Sequence, residues 1–140
     1  MKVKELMTSK LSFCTSETSL QEVAKMMKDE DCGAIPVVDN KDSLAPKGII
    51  TDRDIVIRSL ADSKNPMDLK VSDCMTSNVF TIDSESNVED CYSLMSEHQV
   101  RRIIVIENGK VKGIVAQADI AVKASEIETA KVVERVSQPA

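Results

Sequence analysis

Gly48-Ile49-Ile50-Thr51-Asp52-Arg53-Asp54-Ile55 and Gly113-Ile114-Val115-Ala116-Gln117-Ala118-Asp119-Ile120 are two versions of one pattern, 65 positions apart. Lys47 and Lys112 extend the match by one residue. Upstream the offset becomes 68: Val3, Met7, Thr8, Ser9, Ser16, Glu17, Met27, Ile35 and Val37 recur as Val71, Met75, Thr76, Ser77, Ser84, Glu85, Met95, Ile103 and Val105. Chance matches would scatter over many offsets. A single step of three residues, in the stretch Asn40–Pro46, means two copies of one unit with a longer loop in the first. The period is too long for a solenoid, so the two copies are expected to close on each other as one pseudo-symmetric domain.

Each copy reads β-α-β-β-α after a short amphipathic opening that ends in Met-Thr, Val3–Thr8 and Val71–Thr76. A short extended segment comes next, weak at Leu11–Thr15 and clearer at Val79-Phe80-Thr81-Ile82. Ser19-x-x-Glu22 and Ser86-x-x-Glu89 then read as capping boxes. Apolar residues succeed them at helical spacing: Leu20, Val23, Ala24 and Met27, then Val88, Cys91, Tyr92 and Met95. Ala34–Val38 and Arg102–Ile106 are short, nearly continuous apolar runs, expected of strands covered on both faces. Asn108-Gly109 signals a type I′ hairpin into Val111–Ala116. The first copy reaches the matching strand, Gly48–Thr51, through its longer loop. Last helices are expected from about Asp52 and Gln117. Pro66 marks a break between copies, and residues 126–140 read as a helical extension or tail. The expected domains are 1–67, 68–125 and 126–140. The fold class is α+β, two small-sheet repeats sharing a core, because a small sheet alone does not stabilise itself.

The 140 residues are 42% hydrophobic but only 2% aromatic, so the core must be aliphatic and rich in methionine. A net charge of −5 opposes nucleic-acid binding, which rests on Lys and Arg neutralising phosphates. Cys14, Cys32, Cys74 and Cys91 lie far apart without a CxxC pair, and His98 is the single histidine. That argues against a metal site and for buried thiols. No apolar leader and no run of about 18 apolar residues is present, which points to a cytoplasmic protein without a membrane span. No nucleophile–base pair is visible, and His98 sits where a histidine serves a helix C-terminus, so an enzyme is not expected.

The chain resembles the tandem cystathionine β-synthase (CBS) domain pair, or Bateman module, over about residues 3–125. The resemblance rests on Met-Thr at each start, on Gly33-Ala34-Ile35-Pro36-Val37-Val38-Asp39, and on Gly48–Ile55, which fits the family's nucleotide signature Gly-h-x-Ser/Thr-x-x-Asp. The second copy keeps Gly113 and Asp119 but has Ala116 in the Ser/Thr place. Glu97-His98-Gln99-Val100-Arg101-Arg102 is similar to the stand-alone bacterial type.

The resemblance implies a ligand between the repeats, an adenine nucleotide (AMP, ADP or ATP) or another adenosyl compound. Thr51 would bond a phosphate oxygen at a strand-to-helix junction that attracts anions. Asp54, acceptor-only when ionised, would take two ribose hydroxyls. Ala34, Ile35 and Pro36 would join them, with Asn78, Val79 and Phe80 opposite. A second site would use Asp119, Val100, Arg101 and Arg102, with Lys10, Leu11 and Ser12 opposite. Arg53, Arg101 and Arg102 are phosphate candidates or solvated charges, and of the two adjacent strand arginines only one can line a cleft. Thr51-x-x-Asp54 is equally a capping box with Asp at N3, a role needing no ligand. Ala116 cannot cap, so a reciprocal box does not explain Asp119. Two functions are compatible with these features: a regulatory nucleotide-binding energy or metabolite sensor acting on an unidentified protein, or a ligand-free interaction scaffold. Surplus apolar residues on the last helices fit a homodimer. No cofactor is required by either.

Overall fold

The computed structural model describes residues 1–123 and 126–139, with the last helix described at side-chain level from residue 130. The chain forms two compact units, and each is built from both repeats. One comprises residues 11–79 with 109–111; the other comprises 1–10, 80–108 and 112–140.

In the unit centred on the first repeat, α2 (Leu20–Glu30) starts at Ser19, whose hydroxyl accepts from the Glu22 N–H at 3.1 Å. It ends at Asp31, in a left-handed conformation. Its buried stripe is Leu20, Val23 and Met27, while Ala24 is exposed. β1 (Ala34–Val38) pairs antiparallel with β2 (Pro46–Thr51), placing Ala34 opposite Thr51. β2 thus starts two residues before the expected Gly48. The loop between them folds on itself: Asp39 Oδ1 accepts from the Asn40 and Ala45 N–H groups, and Asn40 Oδ1 accepts from those of Asp42 and Ser43. Leu11–Thr15 is not a strand. Only Cys14 joins β1, through a parallel bridge to Val37, because the next residues turn away into a Thr15–Thr18 hydrogen-bonded turn. After β2 comes α3 (Asp52–Arg58), and after two single-turn 3-10 helices comes α4 (Val71–Cys74). The core is Cys14, Leu20, Val23, Met27, Ile35, Val37, Ile50, Val71 and Cys74.

The other unit repeats this plan. α1 (Val3–Leu6) opens it, and β3 (Thr81–Asp83) runs parallel to β4 (Arg102–Glu107), which neighbours β5 (Lys110–Ala116). α5 (Val88–His98) buries Val88, Cys91 and Met95, with Tyr92 half-buried. The capping box expected at Ser86 does not form. Asn87 occupies the N-cap, one residue later, without a side-chain cap bond, and Ser86 N–H is bonded to the Asp83 carbonyl. Asn108 (φ 53°) and Gly109 (φ 78°) both take positive φ, as a type I′ turn requires. α6 (Gln117–Lys123) succeeds β5, and α7 (Glu126–Val136) packs on α5 and α6. Val132 and Val136 are buried in this core, so residues 126–136 are a structural helix and not a tail. Each fully buried aliphatic side chain contributes roughly 1.5–3 kcal/mol by leaving water.

The opening helices are exchanged. Val3 and Leu6 lie in the core dominated by the second repeat, and Val71 and Cys74 in the core of the first. Matching ion pairs hold them: Lys2 with Glu85 at 2.5 Å, and Lys70 with Glu17 at 2.7 Å. The fold is a mixed helix and strand architecture with two small sheets.

Candidate ligand site

Thr51 ends β2 and is the N-cap of α3. Its hydroxyl accepts from the Asp54 N–H at 3.1 Å, and Asp54 Oδ2 accepts from the Thr51 N–H at 3.0 Å. The capping box is therefore complete. Asp54 is only 7% exposed. Its Oδ1 accepts a long bond from the Thr76 hydroxyl, 3.5 Å, and lies 4.0 Å from Arg58 Nε. Asp54 thus turns back onto its own helix start and onto the Met-Thr segment of the second repeat.

That segment is docked by three devices. Thr76 and Ile49 exchange backbone hydrogen bonds at 2.9 Å in both directions. Gly48 lies beneath them, where a Cβ would collide with the Thr76 carbonyl oxygen and the Met75 side chain. Arg58 Nη1 donates to the carbonyls of Met75 (2.8 Å) and Cys74 (3.1 Å), capping α4.

The second copy repeats the arrangement with Thr8 in the place of Thr76. Thr8 N–H donates to Ile114 O at 2.9 Å and Ile114 N–H to Thr8 O at 3.1 Å. A Cβ on Gly113 would lie 2.6 Å from the Thr8 carbonyl oxygen. Asp119 Oδ1 accepts from the Thr8 hydroxyl at 3.1 Å, and Lys123 Nζ donates to the Leu6 carbonyl at 3.2 Å. Asp119 Oδ2 also accepts from the Ala116 N–H at 2.8 Å. Half of a capping box therefore survives without the hydroxyl, and it gives Asp119 a structural role that its sequence context did not suggest.

The remaining anticipated residues divide between the units. Ala34 is half-buried beside Thr51, but Ile35 belongs to the core and Pro36 is buried. Asn78 is exposed and Val79 half-buried in this same unit. Arg53 is exposed on α3. Phe80 belongs to the other unit, its ring stacked on His98 at 4.1 Å between centroids. There too lie Lys10, Arg101 and Arg102, all exposed, and Val100, packed on the core; Leu11 belongs to the first unit. Arg101 precedes β4 and its carbonyl accepts from the Gln117 N–H, so the two arginines do not alternate along a strand as expected. Among the described residues, Arg53, Arg101, Arg102 and Lys10 make no ion pair. Sequence reasoning missed Thr8, Thr76, Arg58 and Lys123. The signal was present in the recurring Met-Thr and in a basic residue four positions after each signature aspartate.

The cysteines are all free thiols. Burial pushes Cys14 up to about 12 and Cys91 up to about 11, and also raises Cys32 and Cys74. They stay protonated at neutral pH and are poor nucleophiles. Among the described residues no group of three or more His, Cys, Asp or Glu side chains could hold a metal ion.

Two swapped small-sheet units, with Gly and Asp of one repeat receiving Met-Thr of the other, define a paired module, and comparison supplies its family. The CBS domain pattern matches residues 3–60 and again 71–126, and the chain belongs to that family of regulatory domains. It is similar to the uncharacterized protein YlbB of Bacillus subtilis (strain 168), 42% identical over 120 residues, 86% of this chain and 80% of that one. Among solved structures it resembles Hypoxic Response Protein I with two coordinated zinc ions: TM-score 0.76, 30% identity, covering 89% of this chain and 100% of that one. The fold is shared by CBSX2 in complex with AMP, at TM-score 0.73 and 22% identity, covering 88% and 95% of the two chains. No helix among the described residues is long and apolar enough to cross a membrane.

Proposed function

We propose that this protein is a regulatory CBS-pair module that binds an adenine nucleotide at the Thr51–Asp54 junction and acts as an energy or metabolite sensor on an unidentified protein. One observation carries this: the Thr51 hydroxyl spends a lone pair on the Asp54 N–H and keeps its proton for an outside acceptor. A phosphate oxygen is such an acceptor. The Asp54 carboxylate, whose Oδ1 is engaged only by the long bond from Thr76, takes the ribose hydroxyls. Ala34 flanks the site, and the exposed Arg53 supplies positive charge. That CBSX2, of the same fold, was solved with AMP supports the ligand class. The second copy offers Asp119 and the exposed Arg101, Arg102 and Lys10 but no hydroxyl at Ala116, so it binds more weakly. One such bond is worth roughly 0.5–1.5 kcal/mol, about a tenfold effect at most.

The module has no catalytic role, and its free thiols fit a reducing, cytoplasmic setting. Calorimetric titration with AMP, ADP, ATP and S-adenosylmethionine tests the proposal. Binding lost in Asp54→Asn supports it; no heat from any of the four at high micromolar protein defeats it.

A homodimer belongs to the same proposal and survives without a ligand as the scaffold reading. Its support is the exposure of Val56, Leu60 (62%) and Met67 in one unit and Val122 (81%) in the other. Sedimentation of the wild type against Val56→Glu/Val122→Glu tests it; a wild-type monomer rejects it.

A further inference from the structure

Asp54 is a buried carboxylate whose two oxygens already have partners, and those partners come from two places. Oδ2 serves the start of its own helix. Oδ1 faces the Thr76 hydroxyl at 3.5 Å, with Arg58 Nε at 4.0 Å. A ligand diol that takes Oδ1 competes for it with the Thr76 hydroxyl. Of the bonds at this carboxylate, the long one to Thr76 is the weakest by geometry and the one most easily given up. Losing it leaves Thr76 held by its two backbone bonds to Ile49 and by the carbonyl cap from Arg58 to Met75.

Resting on the nucleotide proposal above, we infer that Asp54 is a shared acceptor. A ribose diol takes Oδ1 in place of the Thr76 hydroxyl, so occupancy loosens the segment Val71–Thr76 from the unit that holds it. The signal thus leaves the site along α4, whose side chains Val71 and Cys74 are buried in the same core. Thr76 is a positioning residue that restrains the carboxylate in the empty state and sets the threshold for ligand. Arg58 bridges the two states, since it faces both Asp54 and the Cys74 and Met75 carbonyls.

The test uses the full chain with Thr76→Val, which keeps shape and removes the donor. AMP affinity is measured by calorimetry, and amide exchange across residues 71–76 by mass spectrometry with and without AMP. Thr76→Val is expected to bind AMP about three- to tenfold more tightly than wild type, the size of one modest hydrogen bond. AMP is expected to speed exchange at Met75 and Thr76 in wild type and to change it less in the variant. Binding by the variant alone supports the same inference in its extreme form. Equal or weaker AMP binding by Thr76→Val, or slower exchange of the segment in wild type with AMP, overturns the inference while leaving the nucleotide proposal standing. No binding by either protein overturns both. Thr76→Ser, which restores the donor, must return affinity to the wild-type value, and its failure to do so also overturns the inference.

Discussion

Thr8 and Asp119 stand 111 positions apart, and the hydroxyl of the one donates to Oδ1 of the other across 3.1 Å. Thr76 and Asp54 make the counterpart bond at 3.5 Å across 22 positions. The Met-Thr that opens each repeat and the Gly and Asp that close it are thus the two sides of one docking arrangement, exchanged between repeats. A double-mutant cycle with Thr8→Val and Asp119→Asn is expected to give a coupling energy of about 0.5–1.5 kcal/mol by urea unfolding. Additive effects would mean the bond contributes nothing.

Gly113→Ala is expected to destabilise by about 1–3 kcal/mol, because its Cβ would fall 2.6 Å from the Thr8 carbonyl oxygen and 2.9 Å from Met7 Sδ. Chemical denaturation gives the value. The loss should be accompanied by faster amide exchange at Thr8 and Ile114, whose paired backbone bonds are the ones pushed apart.

Ala116→Thr should complete the half-formed capping box at the start of α6. Asp119 already accepts from the residue 116 N–H at 2.8 Å. The new hydroxyl would accept in return and raise stability by about 0.5–1 kcal/mol. If the second copy binds nucleotide, the same substitution strengthens it, read by calorimetry as a second site of higher affinity.

Glu85 pairs with Lys2 and Lys4 at 2.5 and 2.8 Å, and these bonds hold its carboxyl down at about 2, from an ordinary value of 4.5. A depressed folded value stabilises above the unfolded one. The contribution is present above about pH 4.5 and is lost as pH falls toward 2. Glu85→Gln should therefore melt below wild type at neutral pH, with the gap closing through that window. The gap should also shrink in high salt, because all three groups are exposed.

Burial holds the Cys14 and Cys91 thiols far above neutral pH, whereas Cys32 is only half-buried. Iodoacetamide on the native protein at pH 7.5 should modify Cys32 first. Cys14 and Cys91 should react only on unfolding, as peptide mass mapping would record.

Much of the fold was legible because duplication gave each pattern an internal control. Ala34–Val38 is a strand at the bounds its apolar run marks, and Asn108-Gly109 announces its turn. The start of α5 lies one residue beyond the expected cap, since Ser86 and Asn87 are both good caps and a one-residue choice between them is settled by tertiary neighbours. The exchange of the opening helices was not legible in the repeat pattern itself; only the family resemblance set a segment of the opposite repeat against each signature, at residues 78–80 and 10–12. A period reports that two stretches are alike, not which core receives which copy. For the site, Thr51 and Asp54 were recognisable, and so was their capping role. The partner of the aspartate escaped, because Thr76 lies 22 residues on, beyond any local motif. The burial of Val132 and Val136 also escaped, because a polar helix with two inward valines resembles a solvated tail in composition.

The exchange also bears on how such a chain could have arisen. A solitary ancestor of one repeat would carry a docking groove for Met-Thr and a Met-Thr of its own that fits elsewhere. Two separate molecules could satisfy each other by trading these ends. Joining them head to tail turns an encounter between molecules into one within a molecule, raising the effective concentration of each end. Once joined, the halves can differ in detail, as they do at Thr51 and Ala116, without losing each other.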